Sequence, residues 1–173
     1  MMMQKRPLVP DSPAPGSDWS PSLLADCHIT LRRLYDYWDL KRGQRPMPPR
    51  SDIDPANMKA LLPHLILIDV VADERRYVYR LVGTGEVEMR GGDPTGKAVK
   101  DAYYAESAGE TMIYLDRVVT TQKPVLYRGT YQPTSTRTQE EDVLFLPLSR
   151  NGSGCDMILI YGRTQWVKDE PQV

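Results

Sequence analysis

The residues whose spacing comes nearest to a known chemistry are Gly91-Gly92-Asp93-Pro94-Thr95-Gly96-Lys97-Ala98, which match the phosphate-binding pattern G-x-x-x-x-G-K. Such a loop needs Ser or Thr after the lysine to hold magnesium, but Ala98 stands there, and Asp93 would repel phosphate. An acidic stretch with Glu86 and Glu88 precedes the motif instead of a buried strand. We therefore interpret it as a turn rich in glycine and proline.

A second glycine pattern, Gly83-Thr84-Gly85, follows a predicted strand, as the dinucleotide-binding fingerprint does. Glu88 stands at the position of the third glycine, and no βαβ unit follows. This pattern therefore does not predict a dinucleotide site.

The thiols and imidazoles are few and scattered. The sequence contains Cys27, His28, His64 and Cys155, with no C-x-x-C or H-x-x-x-H spacing. A structural metal needs about four ligands at workable spacing, and a hydrolase needs a Ser or Cys nucleophile beside an oriented base. Because the sequence offers neither pattern, we expect no metal site and no enzymatic activity.

Arg80 is the charged residue in the most unusual position, because it lies inside an apolar, aromatic stretch that reads as a strand. A cation in a half-buried sheet needs a partner unless its face is solvated, so three alternatives stay open: a carboxylate such as Asp69, an anionic ligand, or a solvated face. Alternation along the strand predicts one face with Arg80, Val78 and Val82, and another with Tyr77, Tyr79 and Leu81.

The overall charge argues against two classes of partner. Lys and Arg total 22 and Asp and Glu total 23, so the net charge of -1 gives no bulk attraction to nucleic acid or to an acidic membrane. No window supplies the roughly 20 apolar residues that span a bilayer. We expect a soluble cytoplasmic protein with no nucleic-acid partner and no membrane partner.

The N-terminal part of the chain divides into a tail and a helix. Residues 1–21 contain five prolines and are predicted to be a disordered tail. Residues 22–43 are predicted to form an amphipathic helix that ends at Gly43. Its apolar face must be buried on its own domain or on a second copy of the chain. That face includes Leu31, Leu34, Tyr35 and Trp38.

The remainder predicts an α+β domain. Two strands, 65–71 and 75–82, are followed by helical segments and then by three strands, near 124–131, 142–148 and 156–161. Five mostly hairpin-linked strands make an antiparallel sheet, and one helical crossover covers one of its faces. The longest crossover helix, about 109–121, carries an apolar stripe with Met112, Leu115 and Val119, widened by Ile113 and Val118.

This order of elements resembles that of the PAS domain, in particular a bacterial subfamily of short, single-domain PAS proteins. The residues that carry the resemblance are Leu34-Tyr35-Asp36-Tyr37-Trp38, Arg50-Ser51-Asp52-Ile53-Asp54-Pro55, Leu61-Leu62-Pro63-His64-Leu65, Tyr79-Arg80-Leu81-Val82-Gly83-Thr84 and Asp93-Pro94-Thr95-Gly96. The resemblance implies a PAS-like domain over 44–166, a sheet order of 2-1-5-4-3, and a C-terminal tail over 167–173.

The resemblance also implies where a ligand would bind. Any ligand of a PAS domain sits between the sheet and the long helix. The expected ligand-binding residues are Tyr79, Arg80, Met112, Tyr114, Leu115 and Val119. Haem and flavin are not expected, because the long helix lacks an axial histidine and the crossover lacks a reactive cysteine. The identity of a small-molecule ligand is left open.

The resulting functional hypothesis is a non-catalytic sensory or regulatory domain that binds a small molecule or a signalling protein. By resemblance to PAS domains that pair through N-terminal helices, a homodimer is expected through Leu31, Leu34, Tyr35 and Trp38. Two alternatives stay open: a protein-interaction module with a filled core, and a small enzyme on the same fold.

Overall fold

One antiparallel sheet of five strands, in the order β2-β1-β5-β4-β3, organises the protein. The computed structural model describes residues 19–102, 108–134 and 137–166. The strands are β1 (Leu65–Val70), β2 (Tyr77–Val82), β3 (Val125–Thr134), β4 (Arg137–Leu148) and β5 (Met157–Trp166). The α+β class is the one expected from the sequence pattern, and the sheet order is the one that the family resemblance implies.

Helices cover both faces of this sheet. The α-helices are α1 (Ile29–Arg42), α2 (Thr84–Arg90), α3 (Val99–Ala102) and α4 (Ala108–Thr121). Short 3-10 helices span Pro21–Leu24, Arg50–Asp52, Pro55–Met58 and Leu62–His64. Helices α2 to α4 form the crossover between β2 and β3, and α1 is the additional N-terminal helix.

Alternating side chains of the strands divide the core into two layers. Leu65 and Leu67 of β1 pack with α1, whereas Ile66 and Ile68 pack with the crossover helices. We call these layers the α1 side and the crossover side. Since consecutive residues of a strand point to opposite faces, every internal strand contributes to both layers.

Helix α1 begins later than predicted. The expected helix over 22–43 is replaced by the 3-10 helix Pro21–Leu24 and, after a break, by α1 from Ile29. His28 has an extended backbone, and its Nδ1 accepts a hydrogen bond from the backbone nitrogen of Thr30 over 3.3 Å. A residue with this geometry is an N-cap, so the helix starts immediately after it.

Strands β3 and β4 are longer than predicted. The expected polar loop over 133–138 is largely a continuation of both strands, with Thr134 paired to Arg137 after an irregularity that begins at Tyr131. Because the ladder is made by backbone groups, polar residues extend it without burying apolar surface. Residues 135–136 lie outside the described residues, as do 1–18 of the predicted tail and the predicted C-terminal tail, 167–173.

Candidate functional site

The crossover side of the sheet brings together five of the six residues predicted to bind a ligand. Tyr79 on β2 and Leu115 on α4 are buried. Met112, Tyr114 and Val119 of the same helix pack partly buried against the same cluster. Ile113, predicted to widen the apolar stripe, is 59% exposed. It lies two residues from Leu115, about 200° around the helix, and therefore points away from the sheet.

Aromatic rings fill much of this layer. Tyr114 stacks on Phe145 of β4 with ring centroids 5.7 Å apart, and it meets the edge of Tyr127 of β3 at 5.4 Å. Both separations lie in the range of attractive aromatic pairs. Tyr114, one of the predicted ligand-binding residues, is thus packed against two other aromatic rings.

An ionic cluster fastens α4 to the start of β2. Asp116 accepts hydrogen bonds from the guanidinium of Arg76 and from the hydroxyl of Tyr77. Burial opposes ionisation of Asp116, but the two donated hydrogen bonds outweigh it and lower its pKa. Burial, together with the hydrogen bond to Asp116, raises the pKa of Tyr77, so this hydroxyl remains a donor.

Arg80, the sixth predicted residue, lies apart from the other five. Its side chain is 64% exposed, and its Nη1 is 3.7 Å from Oδ2 of Asp69, a buried carboxylate that also accepts a 2.6 Å hydrogen bond from Arg150. The carboxylate alternative from the sequence thus has a structural counterpart, and the exposure of Arg80 agrees with the alternative of a solvated face. The binding of an anionic ligand by Arg80 stays a prediction.

A β-bulge explains why strand alternation fails around Arg80. Leu81 is paired with Leu67 and Tyr79 with Ile68, so Arg80 is an extra residue in β2. An extra residue shifts the alternation by one position. Val82 therefore lies on the crossover side with Tyr79, so the prediction that these two residues lie on opposite faces is wrong. Leu81 was predicted to share a face with Tyr79, but it points away from the crossover side and is 46% exposed.

The two glycine motifs have structural roles. A Cβ on Gly83 would lie 2.3 Å from the carbonyl oxygen of Leu62, so glycine allows α2 to pack against the preceding 3-10 helix. Gly91 ends α2 with a left-handed backbone. Downstream, Asp93 accepts a hydrogen bond from the backbone nitrogen of Thr95, which forms a turn. The interpretation of the phosphate-loop pattern as a turn is confirmed.

His64 joins a second ionic cluster, next to these glycines. Its Nδ1 is 3.3 Å from Oε1 of Glu86, which is buried, and Arg90 donates to the other carboxylate oxygen over 3.2 Å. These contacts tie α2 to the 3-10 helix before β1. His64 thus contacts Glu86, whereas Tyr79 and Tyr114 pack in the layer on the crossover side of the sheet.

The two cysteines lie in different environments. Arg128 donates to Sγ of Cys27 over 2.9 Å and to the buried carboxylate of Asp142 over 2.9 Å. Burial is the main cause that raises the pKa of Cys27, and burial raises the pKa of Cys155 to about 12. Among the described residues, no group of three or more His, Cys, Asp or Glu side chains is placed to hold a metal ion.

The four residues predicted for a homodimer contact belong to the protein's own core. Leu31, Leu34, Tyr35 and Trp38 are each at most 6% exposed and pack on the α1 side of the sheet. The indole nitrogen of Trp38 donates to the carbonyl oxygen of Pro147 over 2.8 Å. The sequence left open whether this face is buried on its own domain or on a second copy, and it is buried on its own domain. These four side chains are therefore not available as a contact surface for a second copy of the chain.

Two grooves on the described part of the chain lie away from the predicted ligand residues. The larger, of about 480 Å³, lies between α1 and the α4–β3 connection. It is lined by Trp19, Tyr35, Trp38, Arg42, Pro46 and residues 120–124. The smaller, of about 230 Å³, lies between α1 and residues 57–61. Sequence periodicity could not find them, because each is formed by segments distant along the chain or by loops.

Across the three described ranges, no helix is both long and apolar enough to cross a membrane.

Comparisons with known proteins give one family and a set of distant structural likenesses. A family model described as PAS domain matches residues 27–161. No curated protein matches the sequence. A structure from work on the mechanism of a light-oxygen-voltage domain with a flavin analogue is 9% identical, with a TM-score of 0.44, covering 66% of this chain and 84% of that one. The light-state structure of the blue-light photoreceptor Aureochrome1 LOV is 9% identical, with a TM-score of 0.41, covering 65% and 88%.

Proposed function

The chain belongs to the PAS domain family, and we propose that it is a non-catalytic sensory or regulatory domain of a signalling system. It binds a small molecule or a signalling protein, and the bound state changes how the crossover, residues 84–121, packs on the sheet. A cytoplasmic location belongs to the same proposal.

This proposal rests on one observation: the crossover helices and α1 pack on opposite faces of the same sheet. Neighbouring residues of β1, such as Ile66 and Leu67, contact opposite layers. A shift of the crossover helices therefore acts on strands that also support α1, and binding can bias the docking of α1 as a change of population between packed states.

A protein-interaction module is the second candidate, and the packing of the crossover side favours it. Leu115 is 0% exposed, and Tyr114 is held between Phe145 and Tyr127. A filled layer of this kind suits a domain whose regulatory contacts are made at its surface.

We retain the homodimer as a proposal, with a different contact surface on the same helix. Leu40 and Ile29 are 78% and 51% exposed and lie eleven residues apart, close to three full turns of α1. They therefore share the outward side of the helix. Light scattering at micromolar concentration tests it: a dimer that Leu40→Lys converts to a monomer supports this contact, and a monomeric wild type contradicts it.

Native mass spectrometry of protein purified from its own host, with a denatured control, separates the two functional candidates. A small molecule retained by the native protein and released on denaturation supports the sensor. A protein of bare monomer or dimer mass, with no thermal stabilisation by a metabolite library, supports the interaction module.

A further inference from the structure

The smaller groove, between α1 and residues 57–61, has a cation on each of its two walls. Arg33 lies on the α1 wall and Lys59 on the opposite wall, and both are exposed. Within the part of the chain that the structure describes, neither side chain makes a hydrogen bond or an ion pair. None of the residues that line the groove is acidic. Two positive charges therefore face one space that holds no carboxylate of its own.

The α1 wall carries the positive charge beyond Arg33. Arg33, Tyr37 and Lys41 follow one another at steps of four residues, and residues at this spacing share one face of a helix. Tyr37 also lines the groove, and the ammonium of Lys41 lies 5.5 Å from the centre of the Tyr37 ring. This cation–π contact holds a third positive charge beside the groove.

The carboxylates nearest along the chain are directed elsewhere. Asp36 follows Arg33 by three residues, which places it about 60° around the helix on the side away from Tyr37. Asp54 accepts a hydrogen bond from the backbone nitrogen two residues later over 2.9 Å, and another from the amide of Asn57 over 3.4 Å. The positive charge of the groove is therefore available to an anion from outside the chain.

The size and the donors of the groove define what kind of anion fits. Its volume is about 230 Å³, whereas sites for drug-sized ligands usually occupy roughly 300–1,000 Å³. A guanidinium matches the two oxygens of a carboxylate or a phosphate, and an ammonium binds such groups as a point charge. An anion with two negative charges can engage both walls at once.

We propose that this groove binds a small dianion, a phosphate or a dicarboxylate, between Arg33 and Lys59. The bound dianion ties α1 to the segment that leads into β1. This inference goes beyond the proposed function, because the groove lies beside α1, whereas the small-molecule site expected from the family lies under the crossover helices. Either site can therefore be absent without the other.

A titration followed by amide NMR tests the proposal on the full-length chain. The probes are inorganic phosphate and succinate, both mostly dianions at pH 7.5, with acetate as the singly charged control. Sodium chloride keeps the ionic strength constant, so that general screening of the surface does not change. We expect saturable shifts at residues 30–37 and 57–61, with a Kd on the order of a few mM for a dianion held by two charged groups. Acetate should bind several-fold more weakly.

Two pairs of variants separate the groove from the overall charge of the protein. Arg33→Gln and Lys59→Gln each remove one wall cation, so each should raise the Kd of the dianion several-fold, and the double variant should show no saturable shifts. Arg32→Gln and Lys97→Gln are the matched controls. Arg32 and Lys97 are both exposed and do not line the groove, so these substitutions should leave the Kd unchanged.

The outcomes divide clearly. Binding of phosphate alone identifies a phosphate group as the ligand, binding of succinate alone identifies a dicarboxylate, and binding of both supports the general dianion site. The proposal is overturned if neither probe gives saturable shifts up to about 20 mM, or if the shifts centre away from residues 30–37 and 57–61. Equal affinity for acetate, or an equal loss in the two control variants, would also overturn it.

Discussion

Replacing Leu115 by alanine tests whether the crossover side of the core is filled. Leu115 is 0% exposed at the centre of α4 and packs in the same cluster as Tyr79 and Phe145. The substitution removes three carbon atoms from a tightly surrounded site, and such truncations in well-packed cores cost about 2–5 kcal/mol. We expect a loss of this size in the free energy of unfolding, measured by urea denaturation.

Ile113→Ala is the matched control, two residues away on the same helix. Its side chain is 59% exposed, so truncation to alanine, which again removes three carbon atoms, removes little buried surface. The expected effect is within about 0.5 kcal/mol. A difference between the two variants then reports the packing of the crossover side rather than the helix propensity of alanine.

An apolar probe gives the result that would refute this reasoning. A dry cavity left by Leu115→Ala should bind benzene, and ligand binding raises the melting temperature of the variant but not of the wild type. If Leu115→Ala costs less than about 1 kcal/mol, or if benzene stabilises the wild type equally, the layer already contains an open cavity. The filled-core argument for an interaction module would then fail.

Three further substitutions or reagents probe other contacts of the domain. Gly83→Ala places a Cβ 2.3 Å from the carbonyl oxygen of Leu62, so urea denaturation should show a loss of about 1–3 kcal/mol, with Thr84→Ala as the control. The folded pKa of Asp116 is lowered, so its contribution to stability is present above the unfolded pKa and is lost as the pH falls through the folded value. Asp116→Asn should thus lower the melting temperature at pH 7 and have a smaller effect near pH 3, and an equal effect at both would contradict the assignment. Burial raises the pKa of Cys155 to about 12, so its thiolate is a very small fraction even at pH 9, and a thiol reagent at pH 9 should modify Cys155 far more slowly in the native protein than in the unfolded protein.

The order of the elements could be predicted from the sequence because each has a local signal. Gly43 marks the end of α1, and the apolar stripe with Met112, Leu115 and Val119 marks α4. The sheet order could not come from these signals, since hairpin patterns do not say that β1 lies beside β5. It came from the family resemblance.

The errors have a shared physical origin in contacts between distant parts of the chain. Periodicity identifies the apolar face of α1 but not what covers it, which depends on Trp38 reaching Pro147 in β4. Likewise, a single extra residue at Arg80 reverses the faces of Leu81 and Val82, and nothing in the local pattern marks it. The larger groove could not be predicted either, because it needs residues near Trp19 and Lys123 to meet.

The segment after α2 also has a consequence for how the protein meets other chains. Gly96 donates to the carbonyl oxygen of Tyr79, and the nitrogen of Tyr79 donates to the carbonyl oxygen of Lys97, so the crossover occupies the outer edge of β2. An occupied edge offers fewer free backbone groups to a foreign strand. The other edge strand is β3. Strand exchange, fibril growth or capture of an extended peptide should therefore begin at the β3 edge of the sheet rather than at the β2 edge.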